Sequence, residues 1–128
     1  MKLSAESILR VGVFGEFLGH GILALQGKQA WIGWISQMTG ASPLLAGQLL
    51  FLIGAFDVVV AFIILVRPLR GVLLWAAAWG FWTALVRPFV GESILDFIER
   101  WANWAAPLAF IFIQGFPKNS KGWLTERD

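Results

Sequence analysis

The chain has 128 residues, of which 58% are hydrophobic and only 14% charged, with a formal net charge of +2. A soluble domain carries about a quarter charged residues, so this composition excludes a water-soluble globule, a disordered chain and a collagen-like repeat. The absence of cysteine excludes a disulfide scaffold, a thiolate nucleophile and a Cys-ligated cluster.

What remains is an integral membrane protein: one all-α domain over residues 1–128, lying almost wholly in or near the bilayer. Its basic residues are scattered between apolar runs and form no patch for nucleic acid. A cleavable signal peptide is not expected, because the first apolar run contains Glu16 and His20 and no small-x-small site follows it.

Four apolar segments are long enough to span as helices, since roughly 20 residues cross a bilayer. The first runs over 8–25. The second, over 44–66, has Asp57 as its only charge. The third, over 71–90, is interrupted by Arg87 and Pro88. The fourth, over 94–116, is the most polar and holds Asp96, Glu99, Arg100 and Asn103. Between the first two spans, residues 29–38 place Trp31, Trp34, Ile35 and Met38 at helical spacing. That pattern predicts a short amphipathic helix lying in the interface, its indoles buried and their N–H groups wet. The expected fold is a four-transmembrane-helix bundle with this interfacial helix between helices one and two.

Lys2 and Arg10 flank the N-terminal end, Arg67 and Arg70 the second connection, and Lys118, Lys121 and Arg127 the tail. The first connection has only Lys28, and the third sets Glu92 and Asp96 beside Arg87. The positive-inside rule then puts both termini inside and the Trp-rich helix outside.

Ionisable groups within spans are expensive in lipid and mark function by default. Counting helical rise from Arg10, Glu16 lies about 9 Å and His20 about 15 Å into the membrane. Counting back from Arg67 along the antiparallel second span, Asp57 is also about 15 Å in. Glu16, His20 and Asp57 therefore form a candidate ligand or proton site near the midplane. Gly12, Gly15 and Gly19 flank that face and suit close helix approach. Arg87 and Glu99 fall at similar outward depths, which predicts a structural ion pair between spans three and four. Trp79 and Trp82 are candidate pocket walls. Each feature also has a structural reading: His20 bonding Asp57 as helix glue, the tryptophans serving as an interfacial belt. No metal-ligand spacing, phosphate-binding loop or nucleophile elbow is present.

Several of these segments resemble the DoxX/DoxD-like family of small four-helix membrane proteins. The resemblance is carried by Arg10, by the glycine-rich helix ending in Gly19-His20-Gly21, by the Trp-containing connection and by Asp57. It extends through the Arg67-Pro68-Leu69-Arg70 turn and the segment from Glu99 to Ala109. Two positions depart from the family's habit: Leu23-Ala24-Leu25 lacks a lysine often found there, and Asp57 is often Glu. The resemblance implies a four-helix membrane bundle in a bacterial or archaeal cytoplasmic membrane. In some members it implies the membrane subunit of a thiosulfate:quinone oxidoreductase, and in others a part in redox homeostasis.

Two functions follow as expectations. The first is a quinone-linked redox subunit. An apolar slot, a donor to a carbonyl and a proton route are what a quinone needs, and Glu16, His20, Asp57, Trp79 and Trp82 supply those residue types. A lone histidine disfavours haem, and no covalent cofactor is implied. The second is a non-catalytic accessory subunit of a larger respiratory or photosynthetic membrane complex, or a homo-oligomer, with the polar residues as glue. Whether the chain catalyses anything stays open between them. A transporter ranks last, since four spans are few and no inverted repeat is visible.

Overall fold

The computed structural model describes residues 3–128; Lys2, one of the N-terminal flanking charges, lies outside the described residues. The chain is all-helical: α1 (Ala5–Leu25), α2 (Gln29–Thr39), α3 (Pro43–Val66), α4 (Arg70–Phe89), α5 (Ile94–Ile98), α6 (Ala102–Gln114) and a 3-10 turn at Ser120–Leu124. Local chemistry explains most of the boundaries. Ser4 opens α1 with a reciprocal hydrogen-bonded box to Ser7, and Ser42 opens α3 by accepting from Leu45 N–H ahead of Pro43 at the first helical position. Gly40 ends α2 in the left-handed conformation, φ 76°.

Helices α1, α3 and α4 are the three that are long and apolar enough to cross a membrane, which makes this a membrane protein by length and composition. Their outward faces carry Phe51, Phe56, Phe62 and Phe81, all exposed. An apolar exterior of this kind suits lipid rather than water.

The expected fourth span does not form one continuous helix. It is divided into α5 and α6 by residues 99–101, where Arg100 and Trp101 bond back three residues, to Phe97 and Ile98. Pro107 sits inside α6, where it cannot donate to the carbonyl of Asn103, yet the helix continues through it and the break lies one turn earlier. The 13 residues of α6 reach about 20 Å, short of a hydrocarbon core of about 30 Å.

The most closely packed pairs, α1 with α3 and α4 with α6, run antiparallel. Arg10 near the start of α1 donates to the carbonyls of Val66 (2.8 Å) and Ile64 (3.4 Å) at the end of α3, so it caps that helix rather than merely reaching for water. Further along, Gly21 and Gly54 let α1 and α3 touch. A Cβ on Gly54 would lie 2.8 Å from Gly21 O and Leu25 N. The glycines the spacing singled out behave differently: Gly12, Gly15 and Gly19 face open space. α4 runs against α6, with Gly80 giving way to the Asn103 backbone. A core of Val13, Phe17, Val60, Ile64, Leu73 and Phe110 fills the half of the bundle nearest the α3–α4 turn. The opposite half is looser, and the cavity lies there.

Candidate functional site

α2 closes back over α3, and its apolar side faces inward. Trp31, Trp34, Ile35 and Met38 all line a cavity of about 300 Å³ enclosed with α1, α3 and α4. The spacing predicts this stripe, and the structure sets it along a gap between longer helices, where Trp31 and Trp34 are half-buried and Met38 stays exposed.

The wall opposite α2 brings together His20 from α1, Asp57 from α3, and Trp79, Trp82, Thr83 and Arg87 from α4. Four of the five sequence-named pocket residues therefore meet: His20, Asp57, Trp79 and Trp82. Glu16, one turn inward of His20, is half-buried and does not line the cavity. The side-by-side placement of Gly21 with Gly54 and Val58 puts His20 and Asp57 at one level, as the helical rise predicts. The two do not form the expected glue. His20 turns an edge-on ring contact to Trp31, centroids 5.6 Å apart. Asp57 is only 4% exposed, shares the cavity wall with Trp79, and leaves Oδ1 without a partner. Trp79 is itself held by a stacked Trp75, 5.4 Å between centroids and 13° between planes.

Arg87 corrects a second expectation. It does not pair with Glu99. That carboxylate stands on the exposed bend between α5 and α6, side chain 62% accessible, and bonds its neighbour Arg100 at 2.7 Å. The break in the fourth segment swings Glu99 to the surface and frees Arg87 for the cavity. The Arg87 guanidinium packs over the Trp34 ring at 4.8 Å, and its Nε is buried without a hydrogen-bond partner. Lys28 packs over Trp31 in the same way at 4.6 Å. Two cations on two indoles fix the orientation of α2 at the rim, an attraction of about 0.5–1 kcal/mol each where exposed.

The residues sequence reasoning missed here are Trp31, Trp34 and Arg87. Their signal was present, as one tryptophan face on α2 and one arginine inside a span, but each had been given another partner. Among the described residues no group of three or more His, Asp and Glu side chains is placed to hold a metal ion. Chemically the cavity is a flat apolar slot with one carboxylate on its floor, one imidazole in its wall and one guanidinium at its rim. Compared with protein-family models, with curated proteins and with solved structures, the chain matches none.

Proposed function

We propose that this protein is a quinone-binding redox subunit of the DoxX/DoxD-like kind, in a bacterial or archaeal cytoplasmic membrane. In this reading α5 and α6 together complete a fourth crossing, both termini lie inside, and α2 lies at the outer face. Grouping of Arg10, Arg67, Arg70 and the tail at one end of the bundle supports that orientation.

The observation that carries the reading is the cavity itself. Its volume of about 300 Å³ is at the lower end for small-molecule sites. Its walls are tryptophan and aliphatic side chains, with the few convergent polar groups such sites use. A quinone supplies two-electron, two-proton chemistry when bound. The chain's own residues bind the ring between indoles, exclude water, and hold a hydrogen bond at His20, Asp57 or Arg87.

Four of the eight tryptophans line the cavity, so ligand entry has a direct readout. Titrating a short-tailed benzoquinone and its hydroquinone into the purified chain should quench tryptophan fluorescence saturably, and His20→Ala should weaken the response severalfold. Absence of saturable binding by either redox form would sink the reading.

One observation favours a second reading, an accessory subunit that docks on other membrane chains. Gly12, Gly15 and Gly19 present a small-residue stripe on α1 with nothing against it, and such stripes suit helix–helix contact in lipid. Stoichiometric membrane partners that co-purify with the intact chain and are lost on Gly15→Leu would support it.

A further inference from the structure

The two close helix pairs leave a seam between them, and its two sides differ. On one side α1 also packs against α6 and closes it. On the other, α3 and α4 are joined by a short turn yet pack only lightly on each other. The cavity occupies the seam, with α2 across its end. Leu49, Ile53 and Asp57 line it from α3, and Trp79, Trp82 and Val86 from α4.

Two apolar side chains that line the cavity also reach the surface. Trp82 is 43% exposed and Met38 40%. Trp82 lies about 18 Å along α4 from Arg70 and about 10 Å from Phe89. A hydrocarbon core is about 30 Å thick. In a helix that crosses it, this position meets acyl chains whichever end is inside.

Phe56 marks the edge of the opening nearer the α3–α4 turn. It is exposed on α3, does not line the cavity, and meets Trp75 edge to face, centroids 5.5 Å apart. Trp75 in turn stacks on Trp79 in the cavity wall. An aromatic sill therefore runs from the cavity wall to the outer surface of α3 and α4. The edge along α2 is different in kind: there Lys28 sits on Trp31 and Arg87 on Trp34. At about 300 Å³, the lower end for small-molecule sites, the cavity holds a ring and has no room for a long chain beside it. A chain carried on that ring has an apolar way out over the sill and a cationic edge against it elsewhere.

We infer that the cavity takes its ligand sideways from the bilayer, as a ring bearing a long apolar tail, with the tail leaving between α3 and α4 across Phe56, Trp75 and Trp82. This rests on the quinone reading and narrows its substrate class to tailed molecules dissolved in the membrane. The tail exchanges contacts with lipid for contacts with fixed aromatic rings. Such an exchange gains packing and no hydrophobic burial, so the position of the tail reports the arrangement better than affinity does.

The test locates the tail. The unaltered chain in lipid nanodiscs is photolabelled with a benzoquinone whose decyl tail carries a diazirine, and the adducts are mapped by mass spectrometry. Labelling is repeated with excess short-tailed benzoquinone, which competes for the cavity and leaves random labelling from the bilayer unchanged. Adducts that the competitor suppresses should fall on residues 49–56 and 75–82, severalfold above those on α1 and α6. Suppressible adducts centred on residues 28–34, on α1 or on α6, or spread evenly over the helices, overturn this inference and leave the quinone reading standing. So does a lack of suppressible adducts while the short-tailed benzoquinone still quenches tryptophan fluorescence saturably. Loss of both signals overturns both.

Discussion

Two arginines on α4 show how one side chain serves opposite ends of the molecule. Arg70, at the end of α4 next to the α3–α4 turn, is fully buried. Its guanidinium donates to the carbonyls of Gly115 (2.6 Å) and Gly122 (3.1 Å), to the Thr125 hydroxyl (3.0 Å) and to the Asp128 carboxylate (2.9 Å). It thereby ties the 3-10 turn and the segment after α6 onto the bundle. Gln114 adds a buried bond to the carbonyl of Pro68, 2.7 Å, and Arg127 pairs with Glu6. Arg87, at the opposite end of α4, rests on an indole and leaves Nε unmet. The end around Arg70 is tied by many hydrogen bonds and leaves only Gln114 Oε1 unmet, whereas the end around Arg87 leaves its guanidinium Nε unpaired.

The comparison breaks first at Arg70. Arg70→Ala strands several carbonyls and a carboxylate, so stability should fall by about 3–5 kcal/mol, as for removal of one partner from a buried charged pair. Thermal unfolding in detergent would report it, with the tail becoming accessible to protease. A loss below 1 kcal/mol would mean that the inner latch is decorative. Gly54→Ala tests the seam beneath the cavity. The new methyl meets the α1 backbone rather than a side chain that can turn away, and overpacking of this kind costs about 1–3 kcal/mol. Ser4→Ala removes the capping box of α1 and should cost about 1 kcal/mol.

Arg87→Met sharpens the contrast from the other side. With no hydrogen bond to lose at Nε and a hydrophobic indole to rest on, the change should move stability by no more than about 1 kcal/mol, the scale of an exposed cation–π contact. A drop as large as that of Arg70→Ala would show that the outer arginine is structural after all. The smallest effect is expected at Gly12→Ala. Its Cβ enters open space, so the isolated chain should be unchanged within about 0.5 kcal/mol. Any shift in oligomeric state would instead point to a neighbour on α1.

Much of the architecture was legible because apolar run length and turn residues act locally. The spans over 8–25, 44–66 and 71–90 differ from α1, α3 and α4 by three residues at most, and the helix over 29–38 is α2 within one residue. Helical rise also placed His20 and Asp57 on a common level, since depth depends on residue count alone. Direction did not follow from count. Which way the tryptophans of α2 face, whether His20 turns to Asp57 or to Trp31, and whether Arg87 meets Glu99 or Trp34 depend on how neighbouring helices fill space.

By itself, then, the chain's chemistry determined that it is a helical membrane protein and where its long helices begin and end. Propensity, capping and the cost of placing polar groups in lipid act along a single segment. Only the tertiary structure decided that α5 and α6 part at residues 99–101, that Gly21 and Gly54 rather than Gly12, Gly15 and Gly19 form the close seam, and that α2 borders a cavity with α1, α3 and α4. Those outcomes turn on competition between partners distant in sequence. Which partner wins depends on how neighbouring helices fill the space between them, and that is set only when the whole bundle packs.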